Sequence, residues 1–116
     1  MLAPLLALAL MQPTPEDLTT GTRLYHSCQE AKRMGDGANT VKNDRIAECL
    51  AYIGGYVDGS NLSEVKLFCV GNASMGTTIA VYLAFMDRNP KFLDNNRATG
   101  LLLALAETYP CPVKGK

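Results

Sequence analysis

The chain has 116 residues, enough for one domain, and its eleven basic and eleven acidic side chains cancel at pH 7. That balance excludes the basic footprint expected of a protein that binds nucleic acid or an anionic membrane. One histidine, no tryptophan and four cysteines leave little for catalysis and much for cross-linking.

No charge precedes Glu16, and the segment from Leu2 to Met11 is apolar. It is shorter than the roughly 20 apolar residues that span a bilayer. Ala7-Leu8-Ala9 fits a small-residue cleavage site, although the usual basic n-region is missing. Residues 1–19 are therefore expected to be a signal peptide and a linker carrying Pro13 and Pro15, and residues 20–116 the folded domain. The bland alternative is an apolar tail or a membrane-bound helix. An even cysteine count after such a segment fits an oxidising compartment.

The first helix is expected over residues 20–34, with Leu24, Cys28 and Ala31 on one face and Gly35 as its left-handed terminator. The second is expected over 40–58, with Ile46, Cys49, Leu50, Ile53 and Val57 as its stripe and Gly59 ending it. Gly54 and Gly55 each cost a helix interior about 0.8–1 kcal/mol against alanine. The expected compensation is a close approach of another backbone or ring, so that Gly55→Leu would overpack. The alternative is a break in the helix. Residues 60–73 read as a crossover with Leu62, Val65, Leu67 and Phe68 partly buried.

Ser74 is a good N-cap for a third helix reaching Asp87, with Ile79, Tyr82, Leu83 and Met86 on one face. Pro90 cannot extend it. The fourth helix is expected from Asp94 or Asn95 to Tyr109. Its run from Leu101 to Ala106 is apolar nearly all round, which suits the most buried helix or one facing a second subunit. Pro110-Cys111-Pro112 stops it. The fold class is thus all-α, with no strand-period alternation.

The cysteines place these helices. The midpoint of Cys28 and Cys49 falls between Ala38 and Asn39, within the turn signal Gly35-Asp36-Gly37-Ala38-Asn39, and the midpoint of Cys69 and Cys111 falls on Pro90. Residues equidistant from a hairpin turn face each other, so two antiparallel helical hairpins, each stapled by one disulfide, account for both pairs. Bridges closing loops of roughly 20 to 40 residues are each worth about 3–4 kcal/mol in the chain-entropy model. Zinc is the competing use of four cysteines, but no Cys-x-x-Cys pair is present.

No catalytic motif appears. His26 and Cys28 are two apart and diverge on a helix. Gly54-Gly55 and Gly59 lie toward a helix end, the wrong place for phosphate. Neither a cofactor nor a metal is expected.

The motif Cys49-Leu50-Ala51-Tyr52-Ile53-Gly54-Gly55-Tyr56-Val57-Asp58-Gly59 resembles the Cys-x-x-Tyr-x-x-Gly-x-x-Asp-Gly core of the Rap/Tai immunity proteins. Leu24-Tyr25 with Cys28 resembles the family's opening. Phe68-Cys69, Val81-Tyr82-Leu83, Asn89-Pro90 and Tyr109-Pro110-Cys111-Pro112 follow in order, so the match spans roughly Leu24 to Pro112. The resemblance implies a periplasmic all-α protein, often a homodimer. Its partner would be a secreted cell-wall amidase effector of a type VI secretion system, held by occlusion of the active-site cleft. It implies no chemistry of the protein's own.

Occlusion needs a protrusion, and two polar segments are the candidates: Asp58, Ser60 and Asn61 around Gly59, and Asn72 and Ser74 around Gly71 and Ala73. The bland alternative is that they make turns and caps. Asp87, Arg88 and Lys91 are the next candidates. Two other functions compete: a small periplasmic acid-stress chaperone of helical, disulfide-bonded type, and an enzyme with an unfamiliar site.

Overall fold

A computed structural model describes residues 17–113, so the expected leader at 2–11 lies outside the described residues. Four α-helices follow one another: α1 (Gly21–Gly35), α2 (Asn43–Leu62), α3 (Met75–Arg88) and α4 (Arg97–Thr108), with a 3₁₀ turn at Pro90–Asp94 between the last two. Cys28 is bonded to Cys49 and Cys69 to Cys111, with Cα separations of 5.0 and 4.9 Å. The two-hairpin arrangement and its connectivity are therefore as the cysteine spacing implies. The second bridge differs in one respect: Cys69 and Cys111 lie just outside α3 and α4, and join the chain entering the hairpin to the chain leaving it.

Local chemistry explains most boundaries. Thr20 caps α1 by accepting from the Arg23 amide at 3.2 Å, Ser74 caps α3 by accepting from the Thr77 amide at 3.1 Å, and Asn96 caps α4 by accepting from the Ala98 amide at 2.8 Å. The end of α1 is a Schellman motif, in which the Ala38 amide donates to the Arg33 carbonyl and the Gly37 amide to the Met34 carbonyl. Its left-handed residue is Gly37, at φ 89°, and not Gly35. Likewise α2 does not stop at Gly59. Lys66 reaches back and donates to the Asn61 carbonyl at 2.7 Å, satisfying the exposed end of a helix that runs on to Leu62.

The core is made by α1, α3 and α4 together with Ile46, Cys49 and Ile53 from α2 and Phe68 and Val70 from the crossover. Cys28, Cys49, Ile53, Tyr82, Leu101, Ala104 and Leu105 are fully buried. α1 packs on every other helix, whereas α2 rests chiefly on α1 and touches α3 only lightly. The expectation of close packing at Gly55 is consequently overturned: a Cβ there meets nothing within 4 Å, and Gly55 faces solvent. The close approaches are at Gly21, against the 3₁₀ turn, and at Gly100, where a Cβ would stand 2.6 Å from Met86 Sδ.

Beside the first bridge, Arg23 of α1 donates to both carboxylate oxygens of Glu48 on α2, at 2.9 and 2.5 Å, and the buried Ser27 hydroxyl donates to the same group at 2.8 Å. The Arg23 hydrogen bonds, with help from Ser27, pull the Glu48 carboxyl down to about 2, against the cost of its partial burial. Its affinity for protons is lower in the folded chain than in the unfolded one. It therefore stabilises the fold above its ordinary value of 4.5, and that contribution is lost as the pH falls toward 2. Glu48 is about a third exposed, so solvent screening limits the contribution to on the order of 1–2 kcal/mol. Glu48→Gln should cost that much at pH 7, and the gap to wild type should close in urea titrations near pH 2. A gap that is constant with pH would show that the pair is not ionic.

Candidate functional site

The disulfide register decides what protrudes. Counting outward from Cys28 and Cys49, Gly21 at the start of α1 comes level with Tyr56, and α2 continues to Leu62. At 1.5 Å per residue the last turns of α2 overhang α1 by about 9 Å. Asp58, Ser60 and Asn61 ride on this overhang. They sit on a helix end, not in a loop as the reading of Gly59 implied. Asp58 and Asn61 are exposed and Ser60 is half-buried.

The crossover, residues 63–74, folds back beside this end. Phe68 is buried and stacks on Tyr56 with ring centroids 5.8 Å apart and planes 8° from parallel. Val70 is buried next to it. Leu62, Val65 and Leu67, by contrast, are 88, 74 and 60% exposed, where partial burial had been expected. A groove of about 400 Å³ runs between Gly55 and Gly59 on one side and Val65, Leu67 and Phe68 on the other. The missing side chains at Gly55 and Gly59 are what leave it open.

Asn72 is exposed after Gly71, whose φ of 59° makes the turn. The Ser74 hydroxyl accepts from the Thr77 amide and donates to Thr77 Oγ1 at 2.9 Å, so it is committed to the start of α3. Of the five candidates, Asp58, Ser60 and Asn61 thus share one helix end, and Asn72 and Ser74 flank the start of α3.

A second, charged groove of about 660 Å³ lies between α1 and α3. Tyr25, Gln29 and Arg33 line one wall and Ala80, Ala84 and Asp87 the other. The Tyr25 hydroxyl donates to Asp87, and this contact raises the tyrosine's pKa above its ordinary value. Arg33 pairs with Glu30 at 2.5 Å and Lys32 with Asp36 at 2.7 Å, so much of the groove's charge is internally matched. Sequence reading missed this groove. Its signal was the i, i+4, i+8 run of Tyr25, Gln29 and Arg33 opposite the alanines of α3. The reserve candidates Arg88 and Lys91 are engaged elsewhere: Arg88 pairs with Glu107 at 3.3 Å, and Lys91 lies over the Phe92 ring.

All four cysteines are bonded, which leaves the zinc alternative without thiolates. Among the described residues no group of three or more His, Cys, Asp or Glu side chains could hold a metal, and no helix is long and apolar enough to cross a membrane.

These features define a small helical protein, cross-linked for an oxidising compartment, with a protruding face suited to contact. The family model of Rap1a immunity proteins matches residues 20–111, and the chain belongs to that family. Its members are generally non-enzymatic proteins that protect against a secreted effector; family membership and the two disulfides together point to an extracellular or periplasmic protein. Neither a curated protein nor a solved structure matches the chain.

Proposed function

We propose that this protein is a periplasmic immunity protein that binds a peptidoglycan-cleaving amidase effector of a type VI secretion system and occludes its active-site cleft. Residues 1–19 serve in this reading as the export signal and linker. The observation that carries the contact face is the exposure of Leu62, Val65 and Leu67 in the stretch of chain that follows the exposed Asp58 and Asn61, with Asn72 exposed at the far end of the crossover. Three large apolar side chains clustered on a protruding surface mark an interaction site. Apolar anchors ringed by polar groups are the usual anatomy of a tight interface. The neighbouring groove would take an apolar side chain from the effector. Homodimerisation, which the resemblance implies, is measured by sedimentation of the mature chain.

The test is a panel of purified cell-wall amidases assayed on peptidoglycan with and without the mature protein. Stoichiometric inhibition of one of them at neutral pH is the expected result. Leu67→Asp should weaken that complex about tenfold or more, and Asn61→Ala and Asn72→Ala by less, all with the thermal midpoint of the wild type. If binding survives all three substitutions, the contact lies elsewhere, with Asp87, Arg88 and Lys91 next in line. Holding activity toward many unfolded proteins after acidification, with no amidase inhibited, would favour the chaperone reading.

A further inference from the structure

We propose that the Cys69–Cys111 bridge is a site of thiol–disulfide exchange for a dithiol reductant, and that its opening releases the crossover and the C-terminal segment while the helices stay folded. The two bridges are unequal. Cys28 and Cys49 are 0% exposed, held between α1 and α2, and a thiolate has no path to their sulfurs. Cys69 and Cys111 are both only half-buried; Phe68 and Val70 on either side of Cys69 are buried, but Pro110 and Pro112 on either side of Cys111 are exposed, as are residues 62–67, Gly71, Asn72 and Val113. Access is one of the factors that set the rate of exchange.

The chemistry balances. One thiolate of the reductant attacks a sulfur of the bridge, and the other protein sulfur leaves as a thiolate that takes up a proton. The reductant's second thiol then resolves the mixed disulfide. The reductant is oxidised to its own disulfide, two electrons pass to the protein, and Cys69 and Cys111 end as thiols.

What remains after opening follows from the other contacts. The stretch from Tyr109 to Val113 keeps one backbone hydrogen bond to the crossover, from the Cys69 amide to the Tyr109 carbonyl at 2.8 Å. The crossover keeps Phe68 on Tyr56 and Val70 in the core. None of α1 to α4 contains either cysteine of this bridge, so no helix loses an internal constraint. The crossover also carries part of the contact face, so reductive opening would weaken partner binding. That consequence rests on the function proposed above, and the exchange itself does not.

The experiment treats the oxidised, full chain with increasing dithiothreitol under native conditions, quenches with iodoacetamide and maps the labelled cysteines by mass spectrometry. Cys69 and Cys111 should be labelled about tenfold or more faster than Cys28 and Cys49. The helical circular-dichroism signal should be unchanged, and amide exchange should accelerate at Cys69, whose amide donates to the Tyr109 carbonyl across the bridged segments. The double variant Cys69→Ser/Cys111→Ser should show the same helical signal as wild type. Equal labelling of both bridges, earlier labelling of Cys28–Cys49, or loss of helical signal with the first bridge or in the double variant would each overturn the proposal.

Discussion

Replacing Cys28 and Cys49 together by alanine is expected to lower the stability of the domain by about 3–5 kcal/mol. The bridge closes a separation of 21 residues, and cross-linking a loop of that size removes unfolded-state entropy worth about 3 kcal/mol. Both cysteines are fully buried, so the lost sulfurs also leave a void, adding about 1 kcal/mol as the neighbours relax only partly. Domains of this size are stable by only about 5–15 kcal/mol, so the variant should unfold at a much lower urea concentration. Circular dichroism through a urea titration at neutral pH measures the change, and an unmoved midpoint would show the bridge to be incidental. α2 depends on this bridge more than any other helix does, because it rests mainly on α1. The same bridge sets the register that carries Asp58, Ser60 and Asn61 beyond the end of α1. Loss of the cross-link should therefore blur the contact face before the hairpin of α3 and α4 loosens.

How much of this could be read from the chain follows the range of each interaction. The cysteine pairing was legible because both midpoints fall on local breakers, and Ser74 was legible as a cap because its partner Thr77 lies within one turn. The stop at Gly59 misled because the side chain that sustains α2 to Leu62 is Lys66, which comes back from the crossover. α4 begins later than Asp94 because Pro90–Asp94 first forms a 3₁₀ turn, with Phe92 stacked on Phe85 at 5.8 Å. Such a turn has the composition of a helix start and differs from it by tertiary contact alone. The candidate site was legible only as two polar segments. The exposure of Leu62, Val65 and Leu67 depends on where α2 ends and on the empty space at Gly55 and Gly59, and apolar composition argued the opposite. The charged groove required knowing which face of α3 meets α1.

Glycines show the same limit most clearly, and the second large effect is expected at one that drew no notice in the sequence. Gly21→Ala should destabilise the domain by about 2–3 kcal/mol, as overpacking against a rigid neighbour does. Gly21 begins α1 where the chain is sewn to the start of α4. Its amide donates to the Asn95 carbonyl at 2.8 Å, the Arg97 amide donates to the Thr19 carbonyl at 2.7 Å, and Thr22 Oγ1 donates to the Leu93 carbonyl at 2.9 Å. A methyl group added at Gly21 would fall inside van der Waals contact of the Phe92 carbonyl oxygen, and 3.2 Å from both Cα and the carbonyl oxygen of Leu93. These are backbone atoms of a hydrogen-bonded turn, so relief requires breaking the seam. Alanine's better helix propensity returns at most about 1 kcal/mol, less than the clash costs. At Gly100 the same change meets the Met86 side chain, which has rotamers to try, and should cost less. At Gly55 a Cβ meets open space, so Gly55→Ala should be neutral or stabilising by about 0.4–1 kcal/mol. Thermal melts of the three variants test the ranking. Gly21→Ala melting with the wild type would mean that the 3₁₀ turn yields freely, and that the seam between the start of α1 and α4 does not hold the bundle together.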